Sequence, residues 1–66
     1  MHVTLNGERR ELRDGLSVAE LIGDLQLNRR RLAVEINQEV LARDAYQSRQ
    51  IAPGDVIEIV QFIGGG

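Results

Sequence analysis

The sequence predicts an α+β domain, a mixed sheet of four to five strands with one helix lying across one face. Three features predict it. The stretch Val56-Ile57-Glu58-Ile59-Val60-Gln61-Phe62-Ile63 holds six β-branched or aromatic residues in eight positions. That is the pattern of a strand buried on one face and largely apolar on the other, which belongs inside a sheet and not at its edge. A single segment, Val18 to Leu25, carries apolar residues at helical spacing. The chain also begins with two short strand-like segments separated by Asn6-Gly7, the strongest short hairpin signal.

The elements follow in order. Val3 and Leu5 alternate with His2 and Thr4, giving a first strand with one apolar face. Both central positions of a type I′ turn require positive φ, which Asn6 and Gly7 supply. Arg9 to Arg13, with Leu12 inward, is the returning strand, and its charges suit a sheet edge. Asp14-Gly15 ends it. Ser17 is placed as a helix N-cap with Glu20 as its capping-box partner, and Leu16 is positioned to staple onto Leu21. Val18, Leu21, Ile22 and Leu25 then share a face, Gly23 lies opposite, and Asn28 is the expected left-handed stop.

Arg29-Arg30-Arg31 reads as a basic connection, either a solvated loop or a docking contact for an acidic partner surface. Leu32, Val34 and Ile36 alternate with Ala33, Glu35 and Asn37 as a third strand. Asn37-Gln38 turns the chain into a short segment at Val40 and Leu41. Asp44 to Gln47 is a helical turn anchored by Tyr46, whose ring is expected to cap the core. Pro53-Gly54-Asp55 is a turn that launches the last strand. The economical assembly puts that last strand in the centre, parallel to the first and reached by right-handed connections, which is the β-grasp arrangement.

Composition narrows the function. With 66 residues the chain makes one small domain, residues 1–66, with no volume to spare for an enclosed catalytic pocket. A net charge of −2, one Tyr, one Phe and no Trp give neither the basic footprint nor the stacking platform of a nucleic-acid binder. Without cysteine there is no disulfide, thiolate metal site or Cys nucleophile, and the one histidine, His2, reads as a solvent-facing strand residue. No apolar run approaches the roughly 20 residues of a membrane span, and no signal-peptide pattern opens the chain, so no membrane contact and a cytoplasmic location are expected. All eight basic residues are arginines, so no side-chain amine can accept an isopeptide bond. No nucleophile, base and orienting group are assembled, and an enzyme is not expected.

The glycines Gly64, Gly65 and Gly66 gain nothing from packing and are expected to form a mobile tail after the last strand. Side-chain-free residues can thread a slot where Ala would clash. The alternative is a frayed end or leftover linker. If Ile57 and Ile59 point to the helix with Gln61 in their row, Val56, Glu58, Val60 and Phe62 share the open face. Val60 then forms an apolar patch beside the tail of the kind that marks a partner site, and Phe62 either joins it or folds back over the core edge.

Several stretches together resemble the ThiS family, the sulfur carrier of thiamine biosynthesis with a ubiquitin-like β-grasp fold. They are Asn6-Gly7-Glu8, Leu16-Ser17-Val18-Ala19-Glu20-Leu21, Ala33-Val34-Glu35-Ile36-Asn37, and Gly54 to Val60 leading to Gly65-Gly66. The resemblance covers essentially the whole chain. Ala42, Tyr46 and Gln38 stand where the family often has Pro, Trp and Gly, all at packing positions.

The resemblance implies that Gly66 is the modified residue, adenylated and then converted to a thiocarboxylate, with Gly64 and Gly65 threading the tail into a partner. It further implies partner contacts through Glu58, Val60, Phe62 and Ile63. The implied partners are a ubiquitin-activating-type, ThiF-like adenylating enzyme that binds the ATP and Mg²⁺, a sulfur donor protein, and a ThiG-like thiazole synthase. Two related readings share the tail chemistry or fold, the small subunit of molybdopterin synthase and a ubiquitin-like protein modifier. A third, a plain β-grasp binding module, would not need the tail.

Overall fold

The computed structural model describes residues 1–62. Strands β1 (His2–Leu5) and β2 (Glu8–Glu11) form a hairpin, helix α1 spans Val18–Asp24, and β3 (Leu32–Ile36) and β4 (Glu39–Leu41) form a second hairpin. The last strand is β5 (Val56–Gln61), and short 3₁₀ turns occupy Arg29–Arg31 and Arg43–Ala45. The strands order as β2-β1-β5-β3-β4. β5 is central, parallel to β1 and antiparallel to β3, as the apolar last stretch and the connection rules require.

Both hairpin turns take their shape from adjacent positive-φ residues. Asn6 and Gly7 have φ of 50° and 82°, and Asn37 and Gln38 have 53° and 70°. Positive φ at both central positions matches the right-handed twist of the flanking strands. β2 ends at Glu11, two residues short of the expected span to Arg13, while Leu12 packs partly buried against the core. All of β2 is exposed, which suits its place at the sheet edge.

The start of α1 is as its sequence dictates. Ser17 Oγ accepts from the Glu20 N–H at 3.1 Å, and Glu20 Oε1 accepts from the Ser17 N–H at 2.9 Å. Its end differs from expectation. Asn28 is extended, with φ −86°, and instead caps the following 3₁₀ turn. The left-handed residue is Gln26 (φ 59°), whose N–H donates to Gly23 C=O at 3.0 Å while the Leu27 N–H donates to Ile22 C=O at 3.1 Å. This pair of bonds is a Schellman stop, and Leu27 packs against the core beyond it. The gain from closing the helix end and covering Leu27 outweighs the modest cost of a non-glycine residue at positive φ.

The core gathers Val18, Leu21 and Ile22 of α1 over Val3, Leu5, Leu32, Val34, Ile36, Ile57 and Ile59 of the sheet. Tyr46 lies inside it, 1% exposed, and does not merely cap it. The segment before β5 is tied to the helix start, with the Val18 N–H donating to Arg49 C=O at 3.0 Å and the Ile51 N–H donating to Leu16 C=O at 2.9 Å. Ile51, which no periodicity singles out, is consequently a core residue.

One carboxylate is buried where β5 begins. Asp55 accepts from the Ala52 N–H at 2.8 Å and the Asn37 side-chain amide at 3.0 Å, and pairs with Arg49 at 3.3 Å. Burial by itself would raise its pKa, but the Ala52 N–H, the Asn37 amide and the Arg49 guanidinium together hold it below the ordinary carboxylate range. A carboxyl whose folded-state pKa is depressed contributes stability above its unfolded pKa and loses it as pH falls through the folded one. The melting temperature is therefore expected to decline as pH drops below about 4, and Asp55→Asn should flatten that decline. Glu20, lowered by its bond to the Ser17 N–H, acts with the same sign and should leave a smaller residual slope. An unchanged profile in Asp55→Asn would show that the carboxylate is not coupled to folding.

Candidate functional site: the open face of the central strand

The open face follows from the pleat. Along β5, Ile57 and Ile59 are 0% and 9% exposed, whereas Val56, Val60 and Phe62 are 43%, 57% and 49% exposed. Alternation drives this segregation: the helix covers one face of the sheet, and every second residue of β5 is left on the other. Phe62 stands half exposed, which favours the patch over a fold back onto the core edge. Glu58 lies exposed between Val56 and Val60.

Register decides what surrounds this row. Val60 lies opposite Ala33, and Glu58 lies directly opposite Glu35, whose other cross-strand neighbour is Val40. Val40, at 76%, is the most exposed large apolar residue among those described. Two carboxylates directly opposite one another destabilise a sheet slightly. The pair places negative charge in the middle of an otherwise apolar surface formed by Val40, Val56, Val60 and Phe62. Glu58 could be singled out from sequence, but its pairing with Glu35 is a matter of register that neither strand's pattern reveals.

Two hydrogen bonds hold β5 rigid as it leaves the sheet. β1 ends at Leu5, beyond which the Ile59 N–H would lack a partner on that side. Asn6 Oδ1 accepts from it at 2.8 Å and extends the ladder by one bond. On the other side the Phe62 N–H donates to Arg31 C=O at 2.8 Å. The backbone of the last described residue, Phe62, is thus bonded to the turn that precedes β3. The expected tail residues Ile63, Gly64, Gly65 and Gly66 lie outside the described residues.

His2 is exposed on β1 and pairs with Glu11 at 3.2 Å. Among the described residues no three His, Cys, Asp or Glu side chains are grouped to hold a metal ion. Among the described residues no helix is long and apolar enough to cross a membrane. The described residues offer an exposed apolar row, Val56, Val60 and Phe62, with the Glu58–Glu35 pair beside it.

Comparison with known proteins adds the family. A model of the ThiS family matches residues 3–66. The sulfur carrier protein ThiS of Bacillus subtilis is 35% identical over 54 residues, 82% of each chain. The crystal structure of a thiamine biosynthesis protein (ThiS) from Geobacter metallireducens superposes with a TM-score of 0.85 at 35% identity, covering 100% of both chains. A thiazole synthase of Paramagnetospirillum magneticum is 39% identical over 66 residues, all of this chain but 20% of that protein. The chain thus spans about a fifth of that relative's length.

Proposed function

The chain belongs to the ThiS family, and from that membership we propose that it is a sulfur carrier of thiamine biosynthesis whose Gly66 carboxylate is the carrier group. The observation that supports it best is the exposed apolar row of β5, held rigid up to Phe62, immediately before a glycine tail that the family match includes. The fold supplies a docking surface and a fixed exit, and the chemistry is supplied by others.

The reaction sequence follows from the groups present. A carboxylate is a poor electrophile because oxide is a poor leaving group. A ThiF-like adenylating partner, binding ATP and Mg²⁺, brings the Gly66 carboxylate oxygen onto the α-phosphorus and releases pyrophosphate. Sulfide, or a donor delivering sulfur at that oxidation level, then attacks the acyl carbon through sulfur, the C–O bond to AMP breaks, the sulfur loses its proton, and a terminal thiocarboxylate is left. Without cysteine the chain cannot hold sulfur on a thiol side chain, so the terminus is the carrier atom. The thiocarboxylate passes its sulfur to a ThiG-like thiazole synthase. The whole-chain likeness to one part of a thiazole synthase supports that choice of acceptor over a pterin-forming enzyme. The chain is a substrate of these enzymes and not a catalyst, and the cytoplasm is where it would meet them.

Glu58, Val60, Phe62 and Ile63 are the proposed partner contacts. Intact-protein mass spectrometry after incubation with ATP, the adenylating enzyme and a sulfide source tests the class: exchange of one terminal oxygen for sulfur is expected, and an unchanged mass counts against it. Val60→Asp tests the face. Because Val60 is 57% exposed, the variant should melt close to the parent. A charge set into the docking surface should weaken partner binding by about 2 kcal/mol or more, a loss of at least roughly thirtyfold. Loss of folding in its place would mean that Val60 belongs to the core.

A further inference from the structure

We infer that Arg29, Arg30 and Arg31 form a basic collar at the tail exit that docks on an acidic protein surface beside the slot of the adenylating partner. The inference rests on the carrier reading above and concerns a surface that reading does not use.

Position is the first argument. The Phe62 N–H donates to Arg31 C=O at 2.8 Å, and Leu32 lies opposite Gln61, so the run is fastened to the point where β5 leaves the sheet. Whatever receives the tail must come close to these side chains.

Order is the second. Asn28 Oδ1 accepts from the Arg30 N–H at 3.0 Å, Asn28 C=O accepts from the Arg31 N–H at 2.9 Å, and Leu32 beyond is fully buried. The run is a built 3₁₀ turn, in which about three residues complete a turn and successive side chains radiate outward. All three are exposed.

Charge is the third. On a chain of net charge −2, adjacent arginines could each have found an acid. Arg13 holds Asp24 at 2.7 Å, and Arg49 holds Asp55 at 3.3 Å. Among the described residues none of Arg29, Arg30 and Arg31 is in an ion pair. Helix polarity does not account for them either, since Leu25 to Asn28 separate them from the end of α1 and the dipole acts only within the last turn. Three cations kept together and unpaired repel one another, a cost that an anionic partner removes.

Shape selects the partner. The concave site lined by Ile36, Asn37, Glu39 and Val40 is at the opposite end of β3. The arginines are all exposed on a single 3₁₀ turn, so their side chains spread apart and do not converge on one small anion. Guanidinium groups spread over such a surface suit several carboxylates of a protein, each taken in a bidentate pair.

The experiment uses the full chain, the organism's ThiF-like adenylating enzyme, and the triple variants R29Q/R30Q/R31Q and R29E/R30E/R31E, each checked for an unchanged melting temperature. Stopped-flow association at low salt should slow by about tenfold in the Gln variant and further in the Glu variant, with the difference vanishing at high salt. Association of both variants at the parent's rate and salt slope overturns the inference. So does binding of ATP alone at Arg29 to Arg31, seen as amide shifts without the enzyme, because it would make the run a nucleotide site. If the parent chain is not adenylated at all, the carrier reading itself fails. If the parent and the Glu variant are adenylated equally at limiting concentration, only the collar fails.

Discussion

Removing Gly65 and Gly66 is expected to abolish thiocarboxylate formation while leaving the melting temperature within about 1 °C of the parent. The two halves of this expectation have separate causes. Among the described residues the core is assembled from Val3 to Ile59, with Tyr46 and Ile51 closing it, and none of its described members lies after Ile59. The last described backbone bond, one residue past β5, is that of the Phe62 N–H to Arg31 C=O. Deleting the final two glycines removes no described contact, so stability should change by well under 1 kcal/mol, as for surface changes in general. Activation depends on reach and not on stability. A fully extended residue spans at most about 3.6 Å, so the deletion withdraws the carboxylate by about 7 Å from the reacting phosphorus. Misplacement by a single ångström can cost about a hundredfold in rate, so a withdrawal of this size should stop the reaction. Gly65→Val, which restores the length but adds a branched side chain, separates reach from threading. Loss of loading in that variant as well would assign the glycines to passage through a narrow slot; full loading would show that length alone is needed. Wild-type loading of the two-residue deletion would remove Gly66 from the chemistry and leave a β-grasp module with an incidental tail.

How much of this was legible in the sequence depended on whether a feature is local. The pleat of β5 could be read directly, because alternating burial needs only neighbouring residues. The assignment of Ile57 and Ile59 to the core and Val56 and Val60 to the open face accordingly stands in the structure, and Phe62, which the sequence left between the two, is half exposed. The capping box at Ser17 and Glu20 and the Asn6-Gly7 turn are likewise contained in a few residues. The helix stop was misplaced because it is chosen by a pair of bonds and by the burial of Leu27, which favour Gln26 over the residue type with the better left-handed propensity. Asp55 reads from sequence as part of a turn. Its partners are Asn37, which approaches it once β3 and β5 are paired, and Arg49, six positions earlier in the connection that leads into β5. The same holds at the site, where Asn6 reaches Ile59 across 53 positions and Glu35 meets Glu58 through register alone. What chemistry the face serves was carried by likeness to a family and not by any local pattern.

Ile57→Ala should cost about 3 to 4 kcal/mol and leave a large part of the chain unfolded at 37 °C, while the neighbouring Val60→Ala should cost less than about 1 kcal/mol. Ile57 is fully buried, with Leu5 beside it on β1 and Ile36 opposite it on β3. Truncating it removes three carbon groups from the place where both halves of the sheet meet the helix, and the strands on either side, hydrogen-bonded to β5, cannot close around the cavity. A domain of this length has only about 3 to 10 kcal/mol of total stability, so the loss consumes much or all of it. Val60, on the same strand three positions later, is more than half exposed, and its truncation opens no cavity. Urea melts of the two variants measure the difference directly. The functional consequences should divide in the same way. If the proposed function holds, Ile57→Ala should fail in adenylation in proportion to its unfolded fraction and recover on cooling or in a stabilising osmolyte, because the proposed docking face is intact in each folded molecule. A defect at Val60 should persist at every temperature at which the protein is folded. If Ile57→Ala costs no more than Val60→Ala, β5 is not the strand on which the core is built.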